Sequence, residues 1–436
     1  MTAEVTIADG ARLEPHPLRA AVLGEVHARP FTPIETPRRV LHFAFETTPE
    51  RAGADRGALA KFCEQRGIAA PKPSDKHHRV EFDAIALRWE QHSEFTTYTF
   101  ELPSRTPDAP FHPPAATLAA PMGLVPQPGP ALVAVDLHLV GDAERKIAPE
   151  RLFDRASLAA AENSDGTALY ATDFRADAAG FVRILIADRG LGAERAGALT
   201  QRVLEIETYR TLALLGLPEA QRLGPSVRHI ETRLAEVTAA TRSSNGLEAN
   251  QSLLEELTSL AAELEAGAAA SQFRFGASRA YDEIVQRRLV TIGERKVGGL
   301  PTWTSFLARR MAPAIRTCAT LEERQANLAQ KLARAANLLR TRVDVELEQQ
   351  NRDVLRSMNE RTRLQLMLQA TVEGLSVAAI SYYVVGLFGY LVKGLYDAGL
   401  IRVDPALATG AFVPVAVLLV WWIVRRIRSK HIKGAE

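Results

Sequence analysis

Two stretches near the C-terminus carry no charged side chain: Gly374–Val392 and Pro405–Val424. Each meets the roughly 20 apolar residues needed to cross a bilayer core. Only the short segment 393–404 separates them, and a basic cluster follows the second, so the pattern predicts a two-helix membrane hairpin rather than two core helices. The second stretch, VPVAVLLVWWIV, ends in Trp421 and Trp422, where an interfacial belt would sit, and Arg425 and Arg426 follow directly. These four residues are the candidate membrane anchors.

Basic residues set the orientation of such a hairpin. Arg352, Arg356, Arg361 and Arg363 precede it, and Arg425, Arg426, Arg428, Lys430 and Lys433 follow. The connecting segment has only Lys393 and Arg402, offset by Asp397 and Asp404. Both flanks of the hairpin are therefore expected in the cytoplasm, with the chain multi-pass in the membrane. The N-terminus, MTAEVTIADGARLEPHPLRA, lacks a basic region followed by an apolar one, so no secretory signal is expected. Two distant cysteines, Cys63 and Cys318, form neither a metal spacing nor a disulfide framework, which suits a reducing compartment. The net charge of +2 exerts no global pull on nucleic acid.

The polypeptide leading into the first stretch reads as a long helix. No proline occurs from Ala314 to Asp404, and no glycine within Thr320–Ala370. At 1.5 Å per residue, Thr320–Ala370 alone would extend roughly 75 Å. Apolar residues recur at Leu321, Leu328, Leu332, Ala335, Leu339, Val343, Leu347, Val354 and Met358. Their mean period, about 3.7 residues per turn, predicts a slack or right-handed coiled coil. A helix of that length needs neighbours, either elsewhere in the chain or on other copies of it. A polar stripe runs beside the apolar one through Asn337, Thr341, Asp344, Glu348, Asn351, Asn359, Thr362, Gln365, Gln369 and Glu373, then into the apolar stretch at Ser376 and Tyr383. A solvated face explains the first part. It does not explain Ser376 and Tyr383, because polar groups at membrane depth face protein or a water-filled path. Gln369, Glu373, Ser376 and Tyr383 are the candidate pathway residues, and copies of Glu373 in an oligomer would make a cation-favouring ring.

The N-terminal half mixes strand and helix patterns. RVLHFAFE (39–46), residues 80–102 on either side of QHSE, ALVAVDLHLV (131–140) and FVRILIA (181–187) alternate as strands. Arg51–Arg66, Ala193–Leu215 and Pro218–Thr241 read as helices. Nine prolines fall between 103 and 130, which predicts a connector rather than a core element. Seven of the ten histidines precede residue 113. Two stretches place histidine and carboxylates at alternate positions, GEVHARPF with Glu25 and His27, and RWEQHSEF with Glu90, His92 and Glu94. On an extended backbone such residues share a face. They form either a hydrogen-bonded polar face or a site for a divalent metal ion, the one cofactor the pattern suggests. No H-E-x-x-H, G-x-S-x-G, P-loop or G-x-G-x-x-G motif is present in the required setting, so no enzyme is expected.

The expected class is an α+β cytoplasmic domain followed by a mostly helical region, a very long stem helix and a C-terminal two-helix transmembrane hairpin. The segments are 1–14 (a disordered N-terminus), 15–215 (the α/β domain, containing the 103–130 connector), 216–318 (helical), 319–373 (stem), 374–392 and 405–424 (spans), 393–404 (outer loop) and 425–436 (basic tail).

GEVHARPF, RWEQHSEFTTYTF, RFGASRAYDEIV, LLRTRVDVELEQQN and TVEGLSVAAISYY resemble the signatures of a bacterial domain-of-unknown-function family, the uncharacterised membrane-anchored proteins. The resemblance spans about residues 14 to 430 and implies membrane anchoring. The order of parts also resembles CorA-type metal-ion channels, which are pentamers with the first span lining the pore. Their Gly-Met-Asn at the outer end of that span is absent: this chain reads GYLVKGLYDAGL, with Lys393 present. The resemblance implies a homo-oligomeric, CorA-like ion or solute channel. The alternatives are a membrane-tethered scaffold or regulatory protein and, behind both, a membrane-bound hydrolase.

Overall fold

Residues 5–6, 12–13, 16–19, 22–23, 31–104, 106 and 109–432 are described by the computed structural model. The chain is α+β, with an N-terminal mixed sheet, a long C-terminal helix and a terminal apolar helix. It divides into two compact units. The first holds residues 1–239 and 256–335, and the second holds 240–255 and 336–436. Of the 1–14 segment only Val5–Thr6 and Arg12–Leu13 are described, as a short antiparallel pair. Glu25 and His27 lie outside the described residues.

The first unit is built on nine strands: β1 (Arg38–Glu46), β2 (His77–Phe82), β3 (Ile85–Gln91), β4 (Phe95–Pro103), β5 (Ala131–Gly141), β6 (Ala159–Glu162), β7 (Ala168–Ala176), β8 (Val182–Asp188) and β9 (Arg295–Lys296). Their order across the sheet is β9-β6-β7-β8-β5-β1-β4-β3-β2. Only β5 and β8 run parallel; every other neighbouring pair is antiparallel. The longer helices are α1 (Pro49–Gln65), α2 (Ala193–Leu214), α3 (Gly216–Ser243), α4 (Leu247–Ile292), α5 (Trp303–Arg310), α6 (Ala312–Asp397) and α7 (Pro405–Ile432).

β1 is buried from Val40 to Phe45, so both faces of the sheet need covers. Its alternation directs Val40 and Ala44 to one face and Leu41, Phe43 and Phe45 to the other. On the first face, Val135, Leu137 and Leu139 of β5 meet Leu199, Val203 and Ile206 of α2, Leu289 of α4 and Trp303 of α5. Each such side chain contributes about 1.5–3 kcal/mol on full burial. Gly197 lets α2 come this close to the preceding chain, since a Cβ there would lie 1.9 Å from the Thr32 carbonyl oxygen. On the second face, Trp89, Tyr98 and Phe100 pack with Leu59 and Cys63 of α1.

The proline-rich segment 103–130 has little regular structure, as its composition requires, yet it covers this second face. Ala115 is buried there, with Leu118, Met122 and Val125 packed alongside, and Phe111 joins a core with Phe153 and Leu185. Arg39 fastens the cover. Its Nε and Nη2 donate to both Asp136 oxygens (2.8 and 2.7 Å), and its Nη1 donates to the Pro113 carbonyl at 2.7 Å.

The two strands expected over 80–102 are three. A two-residue turn splits the first, with Asp83 and Ala84 both left-handed (φ 46° and 64°), the geometry that matches hairpin twist. β6 and β7 carry no clear alternation. Ala159, Ala160 and Ala161 are fully buried, and sheet context rather than β-propensity makes them strand. The mostly helical 216–318 region is interrupted at 293–302, where β9 adds to the sheet edge beside β6.

The expected stem and first apolar stretch form one helix, α6. It ends at Gly399 (φ 74°), where the Gly399 N–H bonds the Tyr396 carbonyl and the Leu400 N–H bonds the Leu395 carbonyl. Asp404 then caps α7 through the Ala406 N–H at 2.9 Å. Two helical stretches are long and apolar enough to cross a membrane, one at the C-terminal end of α6 and one in α7.

α1 is held by one buried carboxylate. Asp55 accepts from Trp89 Nε1 at 2.8 Å and from the Tyr98 hydroxyl at 2.6 Å, while burial raises its pKa. Asp55→Ala leaves two buried donors without an acceptor and is expected to cost roughly 2–4 kcal/mol. Denaturant unfolding of the full chain, followed by tryptophan fluorescence, measures this; a loss below about 0.5 kcal/mol would mean that α1 docks without it.

Candidate functional site

Beside the apolar packing between sheet and α2, the β1-β4-β3 side also carries polar side chains. Pairing aligns His42, Thr99 and Arg88 in one row across the three strands, and Ala44, Thr97 and Glu90 in the next. α2 answers with Gln201, Leu204, Glu205, Thr208 and Tyr209, and α4 adds Arg288. Together they bound a cleft of about 170 Å³.

His42 is buried, with its Nδ1 2.8 Å from Thr99 Oγ1 and its Nε2 3.0 Å from Thr208 Oγ1. The Thr208 hydroxyl gives its own proton to the Leu204 carbonyl (2.9 Å), so it must accept from His42 Nε2–H. Nδ1 is then the acceptor for Thr99. This is a neutral imidazole with both nitrogens satisfied. Burial, and then the charge of Arg88, lower its pKa to about 3.

A polar chain runs along the cleft. Arg88 Nη1 donates to Gln201 Oε1 (3.3 Å), Gln201 Nε2 donates to Glu205 Oε1 (3.0 Å), and Arg288 Nε lies 2.5 Å from Glu205 Oε2. Arg88 Nε and Glu90 Oε2 face each other at 3.6 Å, an ion-pair distance beyond hydrogen-bond reach.

The expected Glu90–His92–Glu94 metal triplet is not formed, because the extended backbone stops at Gln91. Glu90 stays on the sheet. His92 enters the β3–β4 turn and stacks on Phe95, with ring centroids 4.0 Å apart. Glu94 turns to α4, where Arg274 Nη2 and the Tyr281 hydroxyl each donate to it at 2.6 Å. Among the described residues no group of three His, Cys, Asp or Glu side chains is placed to hold a metal ion. Arg88, Thr97, Gln201 and Arg288 went unnoticed in the sequence. The alternation of RWEQ already put Arg88 on the same face as Glu90, but nothing local linked either to Gln201 or Arg288.

In the second unit, the apolar part of α6 packs on α7 along one seam. Ser381 and Val392 are buried against a helix that buries Ala416 and Val420. Phe388 stacks on Phe412 at 3.9 Å, and Gly389 admits Thr409 so closely that a Cβ would lie 3.3 Å from its Cγ2. The candidate pathway residues lie elsewhere on α6. At 100° per residue, Tyr383 points about 200° away from Ser381. It is 71% exposed, and its ring meets Tyr382 edge-on at 6.0 Å. Ser376 Oγ donates to the Val372 carbonyl (2.8 Å), and Gln369 Nε2 donates to Glu373 Oε1 (3.3 Å). Trp421 and Trp422 are exposed on α7, with the Arg425 and Arg426 guanidinium groups each 5.0 Å from the respective ring centroid.

A family model described as a protein of unknown function (DUF3422) matches residues 14–431. No curated protein and no solved structure matches the chain.

The folded state holds His42 neutral to about pH 3, whereas the unfolded chain protonates it near 6.5. Its contribution is complete above pH 6.5 and is lost as pH falls, by up to about 1.4 kcal/mol per pH unit. Between pH 6.5 and about 4 the wild type is expected to destabilise more steeply than His42→Gln. Equal slopes in denaturant titrations across that range would show that His42 is not held neutral.

Proposed function

Because this chain belongs to the DUF3422 family, whose description states no function, we propose from its own geometry that it is an integral membrane protein working as a homo-oligomer. It lies in the bacterial inner membrane with both termini cytoplasmic, and its copies meet along the side of α6 turned away from α7. Tyr383 carries this reading. It stands at the middle of the first charge-free stretch, and it is exposed. A phenol hydroxyl facing lipid there would cost on the order of a few kcal/mol, and a partner copy removes that cost.

The surrounding surface agrees. Gln369, Ser376, Tyr383 and Tyr390 recur every seven residues, which keeps them on one side of the helix. Nearer the N-terminus, every residue from Leu347 to Val372 is exposed, including Val354, Leu355, Met358, Leu364, Met367 and Leu368. A helix that shows apolar side chains all round needs neighbours.

A continuous polar seam with Glu373 at its inner end is also what a path for ions or small solutes requires, in the order of parts that CorA-type channels share. A second reading is a tethered scaffold with a dry seam. It is favoured by the hydroxyl of Ser376, which is satisfied by its own helix and asks for no water.

With Cys63 and Cys318 replaced by alanine, single cysteines at 369, 376, 383 and 390 are expected to cross-link between copies in membranes, and those at 381 and 388 are not. A monomer in native mass spectrometry together with no seven-residue cross-linking pattern would end the oligomer reading. In liposomes, Glu373→Ala is expected to reduce cation flux about tenfold or more if the seam conducts. A wild type without flux selects the scaffold.

A further inference from the structure

The cleft over β3 and β4 contains hydrogen-bonding groups that the fold leaves unused. Thr97 is 2% exposed, and its Oγ1 has no partner among the described residues. Arg88 Nε is buried and equally unpartnered. The Glu90 side chain is 10% exposed, and its nearest cationic atom is that same Nε at 3.6 Å. Two donors and one carboxylate thus border a single small space. Thr97 and Glu90 are direct cross-strand partners. Buried polar groups are ordinarily satisfied, and a group of them around one cavity marks a place for a ligand that completes them.

The charges restrict what that ligand is. Arg88 is matched by Glu90, and Arg288 by Glu205. His42 adds no charge, because both its nitrogens are engaged as a neutral ring. A lone anion or a lone cation would bring an uncompensated charge into a balanced, mostly buried site. A zwitterion would not. An α-amino acid carries its ammonium and carboxylate on one carbon, a spacing comparable to the separation of Arg88 and Glu90. Phe95, Leu204 and Tyr209 supply an apolar wall for a short side chain. We propose that this cleft binds a small α-amino acid, with the carboxylate on Arg88 Nε and Thr97 Oγ1 and the ammonium on Glu90.

The test uses the full chain in lipid nanodiscs and isothermal titration with three matched probes: L-valine, isovalerate, which lacks the ammonium, and isobutylamine, which lacks the carboxylate. Saturable binding of L-valine, at least about tenfold tighter than either partial probe, is expected. Glu90→Gln and Thr97→Val are each expected to weaken it about tenfold or more. Thr97→Val is expected to unfold at the wild-type temperature or above it, because it removes a buried hydroxyl that lacks a partner. That combination, weaker binding with undiminished stability, separates a ligand-binding role from a structural one. Three results would overturn the proposal: no saturable heat with L-valine, isovalerate or isobutylamine binding as tightly as L-valine, or variants that bind like the wild type.

Discussion

β1 is buried on both faces, and a strand in that position must be covered twice. Its apolar residues alternate between Val40 and Ala44 on one side and Leu41, Phe43 and Phe45 on the other, so neither face can be left to water. Regular helices, α2 and α4 above all, supply the first cover. The second is α1 together with an irregular segment that composition alone marks as a connector. The Arg39–Asp136 pair explains how such a segment holds its place. A bidentate ion pair at the sheet surface leaves one guanidinium nitrogen free for the Pro113 carbonyl, and Phe111 and Ala115 are then drawn into cores on either side.

The alternation that fills the core also builds the cleft. Along β4, Thr97 and Thr99 lie on the face turned to α2, while Tyr98 and Phe100 lie on the face turned to α1. α2 likewise presents Leu199, Val203 and Ile206 to β5 but Gln201, Glu205 and Thr208 to β3 and β4. One helix therefore serves as both core element and cleft wall, according to which side of it meets which strands. His42 marks the change between the two regions. Its two threonine partners let a polar ring be buried where an aliphatic side chain would otherwise sit.

α6 follows the same rule of divided faces. Its apolar repeat is buried at Leu321, Leu328, Leu332, Leu339 and Val343, and exposed from Leu347 onward. The hairpin seam with α7 uses Ser381, Phe388, Gly389 and Val392, small and aromatic residues that allow close helix approach. Tyr383 belongs to neither seam.

The large divisions of this protein follow from its local sequence pattern. Two charge-free stretches, a proline-free run before them and alternating patterns in the N-terminal half follow from local periodicity, and the fold retains all three. Local periodicity could not reveal β6, because alanines become strand only where neighbouring strands bury them. Nor could it reveal that the proline-rich segment is a cover, because the Arg39–Pro113 contact joins residues 74 apart. The site divided in the same way. Glu90 and His92 were visible as charged and titratable positions, but where the strand ended, at Gln91, decided that they would part company with Glu94. The cleft depends on Arg88, Gln201, Glu205 and Arg288 meeting from three well-separated parts of the chain, which only the packing of α2 and α4 against the sheet brings about.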